Sequence, residues 1–347
     1  MKKFAVILEK EGSQKILGEP ASYYIELSAE KAGFKVIKSN DGSCPKSLFK
    51  EREEACFVMF IEKMPLIKPK TFKALFRSAK ENGRDINQAG IFQLDCEISS
   101  VPDDFFAIHS YAPRKELVSS RTCEGYAKCV KILQKRINKK LLKSGVFILD
   151  PKTAYIGPRV RIAPGAVIHP NVVIEGETVI GENCVLGPGS KLVDMEIGSG
   201  TEIDAARAYS SKIGENCHIG PFAYIRPGCV IGDNVKIGDF VEVKNSSVGN
   251  NTKASHLTYI GDSDFGENIN IGCGSITVNY DGRRKHRTVV EDGAFIGCNS
   301  NLVAPVTVGR GAFVAAGSTL TEDAPEGCLS IARARQVNKS GWKLKDN

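Results

Sequence analysis

Starting at Ile156, an aliphatic residue returns at every sixth position: Ile156, Ile162, Ile168, Ile174, Ile180, Leu186 and Leu192. The ladder slips, then resumes as Ile213, Ile219, Ile225, Ile231, Ile237 and Val243. After further slips it returns as Ile296, Leu302, Val308, Val314 and Leu320. Glycine follows many rungs, as in Ile180-Gly181, Ile213-Gly214, Ile231-Gly232 and Ile296-Gly297. Such a period fits neither an amphipathic helix (~3.6 residues) nor a two-sided strand (about 2). It fits a solenoid in which each hexad is one short strand plus a turn, and three hexads close a triangular coil. One apolar side chain per hexad then points to the axis, where full burial stabilises by roughly 1.5–3 kcal/mol. The small residue after it lets the chain turn a corner without steric conflict. The spacing predicts a parallel β-helix of about ten coils over residues 146–331.

The rest of the chain reads differently. Residues 4–8 form an apolar run suited to a buried strand, and residues 21–32 suit an amphipathic helix. Residues 55–61 suggest a second strand, and residues 71–81 a second helix after Pro65. That alternation is α/β in character. A basic stretch with helical periodicity, residues 123–143, carries Tyr126, Val130, Leu133, Ile137 and Leu141 on one face and leads into the solenoid. The expected organisation is an α/β domain over 1–122, a linker helix over 123–145 and a β-helix domain with a tail over 146–347.

Composition narrows the function classes. No stretch approaches the ~20 apolar residues of a membrane span. The basic and then apolar N-terminus is cut short by Glu9, Lys10 and Glu11, too early for a signal peptide. The eleven cysteines show no C-x-x-C spacing, so the expectation is a reducing cytoplasm without a disulfide framework or zinc site. The net charge of +7 is concentrated in residues 1–145, which hold 27 Lys+Arg against 18 Asp+Glu. Those charges are scattered singly and lack interleaved aromatics, which argues for a solvated surface rather than a nucleic-acid platform. The five histidines are too widely separated in sequence to read as a three-His zinc site. The regular ladder breaks around residues 278–288, where Asn279-Tyr280-Asp281-Gly282 signals a turn and Arg283, Arg284, Lys285, His286 and Arg287 follow. An extra loop leaving a regular prism is where function concentrates.

A dense polar group surrounds that loop. It includes Arg226 in Arg-Pro-Gly, Lys244 in Val-Glu-Val-Lys, and Lys253-Ala254-Ser255-His256-Leu257-Thr258-Tyr259-Ile260-Gly261-Asp262. With Asn268-Ile269-Asn270-Ile271-Gly272, Asn279-Tyr280-Asp281-Gly282, residues 302–309 and Gly341-Trp342, it closely resembles one family. That family is the bifunctional N-acetylglucosamine-1-phosphate uridylyltransferase / glucosamine-1-phosphate acetyltransferase, whose acetyltransferase half is matched over about residues 146–342. Hexapeptide β-helices of this kind are predominantly left-handed acyltransferases. The resemblance implies His256 as catalytic base and Arg226, Lys244, Tyr259 and Asn270 as sugar-phosphate contacts. It implies Asn279, Tyr280, Ala316 and Arg333 as acetyl-CoA contacts, and places Lys285 in a loop that closes over the substrate. Two matched positions differ, with Cys273 for a small residue and Cys298 for a serine, so affinity for CoA is expected to shift. The implied reaction needs acetyl-CoA, a small amino sugar phosphate and no metal, and the implied assembly is a homotrimer with shared sites. Another amino sugar acceptor, or a non-catalytic trimeric regulator, is the alternative.

The same resemblance implies a nucleotidyltransferase-like domain before the solenoid, reduced and degenerate. Phe4–Leu8, residues 64–76 and residues 136–151 carry its faint traces. The Gly-rich nucleotide loop appears as Glu9-Lys10-Glu11-Gly12-Ser13-Gln14-Lys15, and a single glycine denies phosphates close approach to the backbone. Lys63 stands where a metal-binding aspartate is expected, and Ser119 where a second metal ligand is expected; a lysine cannot hold Mg²⁺. Uridylyl transfer is therefore expected to be lost.

Overall fold

The computed structural model describes residues 2–8, 15–39, 56–61, 66, 68–82, 91–93 and 122–340. The glycine-poor loop at residues 9–14, together with Lys63, Ser119, Gly341 and Trp342, lies outside the described residues. Two compact units are present: one spans Met1–Lys140 with Tyr155–Pro158, the other Leu141–Ala154 with Arg159–Asn347.

In the first unit four strands form a sheet in the order Lys35–Ser39, Lys2–Leu8, Cys56–Ile61, Ile91–Gln93. The first three are parallel and the last is antiparallel. Helices Ala21–Lys31 (α1), Pro69–Asn82 (α2) and Cys123–Lys143 (α3) accompany it. The periodic face of α3 has a concrete partner: Cys129 and Leu133 join Ile16, Tyr24 and Leu66 in one buried cluster. Arg136 Nη1 donates to the Leu66 carbonyl at 3.0 Å, and Tyr126 Oη to that of Lys15 at 2.8 Å.

The second unit is a parallel β-solenoid of about ten turns. One strand from each coil, from Phe147–Ile148 to Leu329–Ser330, builds an eleven-stranded sheet; the other faces wind into a seventeen-stranded one. Every rung of the ladder is buried, none more than 8% exposed. The slips are shortened hexads rather than interruptions. Buried Leu192 is followed five residues later by buried Ile197, Val243 by Val248, and Ile260 by Phe265. Ala208, Ala254 and Thr277 occupy further inward positions, too small or too polar to be seen as rungs in an aliphatic pattern. Adjacent coils are therefore offset by 16, 17 or 18 residues, as in Lys191↔Arg207, Lys236↔Lys253 and Tyr224↔Glu242, and by 25 across the extra loop, as in Asn270↔Phe295.

Three corners repeat along the axis, each turning through left-handed backbone. Asn216, Asn234, Asn251 and Asn268 line one of them with φ between 52° and 59°, a conformation asparagine tolerates. Phe222, Phe240 and Leu257 turn the second, with φ of 59°, 56° and 40°. Asn245 and Asp262 turn the third, with φ of 45° and 50°. Most of the candidate side chains gather at these last two corners and on the face between them.

Candidate active site

His256 ends the strand Lys253–His256, immediately before the second corner. One coil earlier, in register with it, stands Asp239. Imidazole Nδ1 and Asp239 Oδ1 are 2.5 Å apart. The hydrogen bond to His256 holds the Asp239 carboxyl below the usual carboxylate range. This contact orients the ring and turns Nε2 away from the carboxylate, toward open solvent and any ligand there.

The same corner continues as a column. Lys253 pairs with Asn270 and Ala254 with Ile271; two residues further along each chain, Cys273 stands beside His256. Asn270 pairs with Phe295 and Ile271 with Ile296, which brings Cys298 beside Cys273. Phe295 pairs with Phe313 and Ile296 with Val314, which brings Ala316 beside Cys298. Arg333 then passes over Gly317. Four coil steps of ~4.8 Å separate His256 from Arg333, a narrow polar-to-basic track along one edge of the prism.

A second group lies across the adjoining face. Arg226 Nη1 bonds Glu242 Oε1 at 2.8 Å, and its guanidinium sits 5.9 Å from the Tyr224 ring centre. Lys244 Nζ is 3.6 Å from Asp262 Oδ2. Asp262 is buried, and burial opposes its charge, yet the amide of Asn245 and the ammonium of Lys244 hold it below the usual carboxylate range. Its oxygens accept Asn245 Nδ2 at 2.6 Å and Asn279 Nδ2 at 2.6 Å, an amide–carboxylate–amide ladder down the third corner. Asn279 Nδ2 also reaches Tyr259 Oη at 3.4 Å. Gly261 makes room for this tyrosine: a Cβ there would overlap the Tyr259 ring.

Lys285 joins the group from the extra loop, which is a hairpin with Tyr280 and Lys285 in an antiparallel bridge. Asp281 closes the tip by accepting the N–H groups of Arg283 at 2.7 Å and Arg284 at 2.6 Å. It also faces His286 Nε2 at 2.7 Å. Backbone donation from Arg284, then the His286 contact, pull the Asp281 carboxyl down to about 2. At the base Arg287 clamps Asp264 through Nε at 2.8 Å and Nη2 at 2.5 Å. The hairpin thus delivers Lys285 against Lys244, and that like-charged neighbour holds the Lys285 ammonium below the usual lysine range. Arg287 is committed to Asp264, so the basic run at 283–287 is not a uniform patch.

The structure therefore assembles Arg226, Lys244, Tyr259, Asn279 and Lys285 in one cluster, and His256, Cys273, Cys298, Ala316 and Arg333 along one corner. Tyr280 bonds within its own hairpin, Oη to the Gly282 carbonyl at 2.8 Å. Asn270 belongs to the eleven-stranded sheet, between Lys253 and Phe295, on a different face from Tyr259 and Lys244. Asp239 was not singled out from sequence, and Glu242, Asp262 and Asp281 stood within the quoted motifs with no role assigned to them. For two of them the signal is the coil length, Asp239 and Asp262 lying 17 residues from His256 and Asn279; Glu242 reaches Arg226 diagonally, its in-register partner being Tyr224. Among the described residues no group of three or more His, Cys, Asp or Glu could hold a metal ion. No described helix is long and apolar enough to cross a membrane.

The fold and this corner arrangement define a left-handed β-helix of the hexapeptide transferase class, and a family model described as bacterial transferase hexapeptide (six repeats) matches residues 287–322. A second, the GMPPB C-terminal domain, matches residues 151–253. Bifunctional protein GlmU from Geobacillus sp. (strain WCH70) is 52% identical over 272 residues, 78% of this chain and 59% of that protein. Bifunctional protein GlmU from Thermoanaerobacter pseudethanolicus is 42% identical over 330 residues, 94% of this chain and 69% of that protein. The chain belongs to the GlmU family. It spans about three fifths of the length of the first of these relatives, 59%. A solved UDP-N-acetylglucosamine acyltransferase from Campylobacter jejuni is similar at 25% identity and TM-score 0.42, over 47% of this chain and 70% of that one.

Proposed function

We propose that this protein transfers the acetyl group of acetyl-CoA to the amine of glucosamine 1-phosphate, and that it does not transfer uridylyl groups. The observation that carries the reading is the pairing of an oriented imidazole with a clustered cation site one face away. Acetyl transfer forms a C–N bond and breaks a C–S bond, and the amine must lose a proton as it attacks. His256 Nε2 takes that proton while Asp239 holds the ring, a role that typically contributes 10²–10⁴-fold. The oxyanion of the tetrahedral intermediate needs fixed donors.

Lys244 and Lys285, two adjacent ammonium groups beside a single buried carboxylate, suit a dianionic phosphate, with the Arg226 fork as a third donor. The column from His256 to Arg333 suits an extended thioester arm, its acyl end at His256 and its phosphates at Arg333. Asn270 lies on another face, so in one copy the sugar-phosphate contacts do not converge. This supports a trimer whose sites are shared between subunits. Lys63 and the glycine-poor loop support loss of the uridylyl step.

The test is release of CoA thiol against a panel of amino sugars and their phosphates. Saturable release with glucosamine 1-phosphate is expected, with at least about tenfold preference over the unphosphorylated sugar. Equal rates with both, or release only with a nucleotide-linked sugar, would reassign the acceptor.

A further inference from the structure

The corner that orients His256 also stacks two thiols. Cys184, Cys217 and Cys229 are buried, each with Sγ donating to a backbone carbonyl at 3.0–3.1 Å. Burial pushes these thiols up, and that of Cys129 to about 11, so they are protected and unreactive. Cys298 is exposed and Cys273 half-buried. They are successive members of the column, and the Asn299 N–H donates to the Cys273 carbonyl at 2.8 Å. Matching positions on adjacent coils lie ~4.8 Å apart, inside the ~4.4–6.8 Å Cα separation of disulfides. The other described cysteines outside the core, Cys123 on α3 and Cys328 beside Ser330, have no such thiol neighbour in register.

We propose that Cys273 and Cys298 form a thiol-modification site at which a hydroperoxide closes a disulfide across two coils. One thiolate attacks the peroxide: the O–O bond breaks, one oxygen becomes a sulfenic acid, and the other leaves as water or an alcohol. The second thiol then displaces that oxygen as water, forming the S–S bond. Two thiols lose two electrons and two protons, and the peroxide is reduced. The disulfide fills the step of the column next to His256, where the thioester must lie, so the oxidised protein excludes the acetyl donor until a thiol reduces it. This consequence rests on the acetyltransferase reading above, whereas the chemistry of the thiols does not.

The test treats the full chain with hydrogen peroxide and follows two readouts. Non-reducing proteolysis with mass spectrometry should find the Cys273 and Cys298 peptides joined. Acetyl transfer should fall in step with the joined fraction and return with dithiothreitol. Cys298→Ser, compared only with itself before treatment, should give no joined peptide. It should keep at least about half its rate at a peroxide dose that removes about nine tenths of the parent's. Exhaustive oxidation that leaves the two thiols unjoined would overturn the site, as would complete joining with an undiminished rate. Joining in a chain that shows no acetyl transfer even when reduced would uphold the thiol site and sink the acetyltransferase reading instead.

Discussion

The Asp239 contact makes the His256 imidazole directional. A neutral histidine free to rotate presents either nitrogen; one held at Nδ1 presents Nε2 alone. Asp239→Asn keeps the shape and removes the charge. It should lower turnover at least about tenfold, but by less than the ~10⁴ lost on neutralising the buried carboxylate of a serine-protease triad, because water screens a half-exposed pair. KM for the sugar phosphate should stay unchanged, since Asp239 touches none of the cation cluster. An unchanged turnover in Asp239→Asn would remove the carboxylate from the mechanism. Gly261→Ala makes the opposite separation. Its Cβ would displace the Tyr259 ring, so KM for the acceptor should rise by about tenfold or more while acetyl-CoA binding, measured by calorimetry, holds.

Two elements position the chemistry: the tight corners and the 279–287 hairpin. Gly238 precedes Asp239, and a Cβ there would overlap the Ser255 carbonyl oxygen on the next coil. Gly238→Ala should destabilise the solenoid by about 1–3 kcal/mol, read as a lowered thermal midpoint; an unshifted midpoint would show that the coils are not packed this closely. In the hairpin, Asp281 has a carboxyl lowered to about 2 by the Arg284 N–H and His286. A depressed carboxyl stabilises the folded form fully above its unfolded value of ~3.9 and loses that contribution only as pH falls through the folded value. The Arg283 and Arg284 amides should therefore remain protected from hydrogen exchange at pH 3. Exchange at that pH as fast as in an unstructured peptide would contradict the cap.

The rungs, the break at 278–288 and α3 were legible because each is a local pattern of residue types. The slips were not, because an alanine or threonine rung in a five-residue hexad carries no aliphatic signal. The carboxylates were not, because Asp239 becomes the partner of His256 only when coils stack at an offset of 17 residues, and Glu242 meets Arg226 only diagonally across coils offset by 18, in register with Tyr224. Once the true coil lengths are known, the in-register pair follows from arithmetic.

For the whole molecule, the β-helix carries the proposed acetyl-transfer chemistry, and the α/β unit has its own sheet and core. If Lys63 stands where a metal-binding carboxylate is needed, as proposed, incubation with UTP, N-acetylglucosamine 1-phosphate and Mg²⁺ should release no pyrophosphate. Mg²⁺-dependent formation of a UDP-sugar would restore a second activity to the first unit. If the site is shared between subunits, as proposed from the position of Asn270 off the Tyr259 face, dissociated subunits should be inactive. The central claim, that His256 is the base for acetyl transfer, is tested most directly by steady-state turnover of His256→Ala alongside its affinity for acetyl-CoA. Turnover with glucosamine 1-phosphate should fall at least about 100-fold while acetyl-CoA binding remains within about threefold of the parent. A variant that keeps more than about half the parent turnover would contradict the account, because general-base removal at this step cannot be so mild.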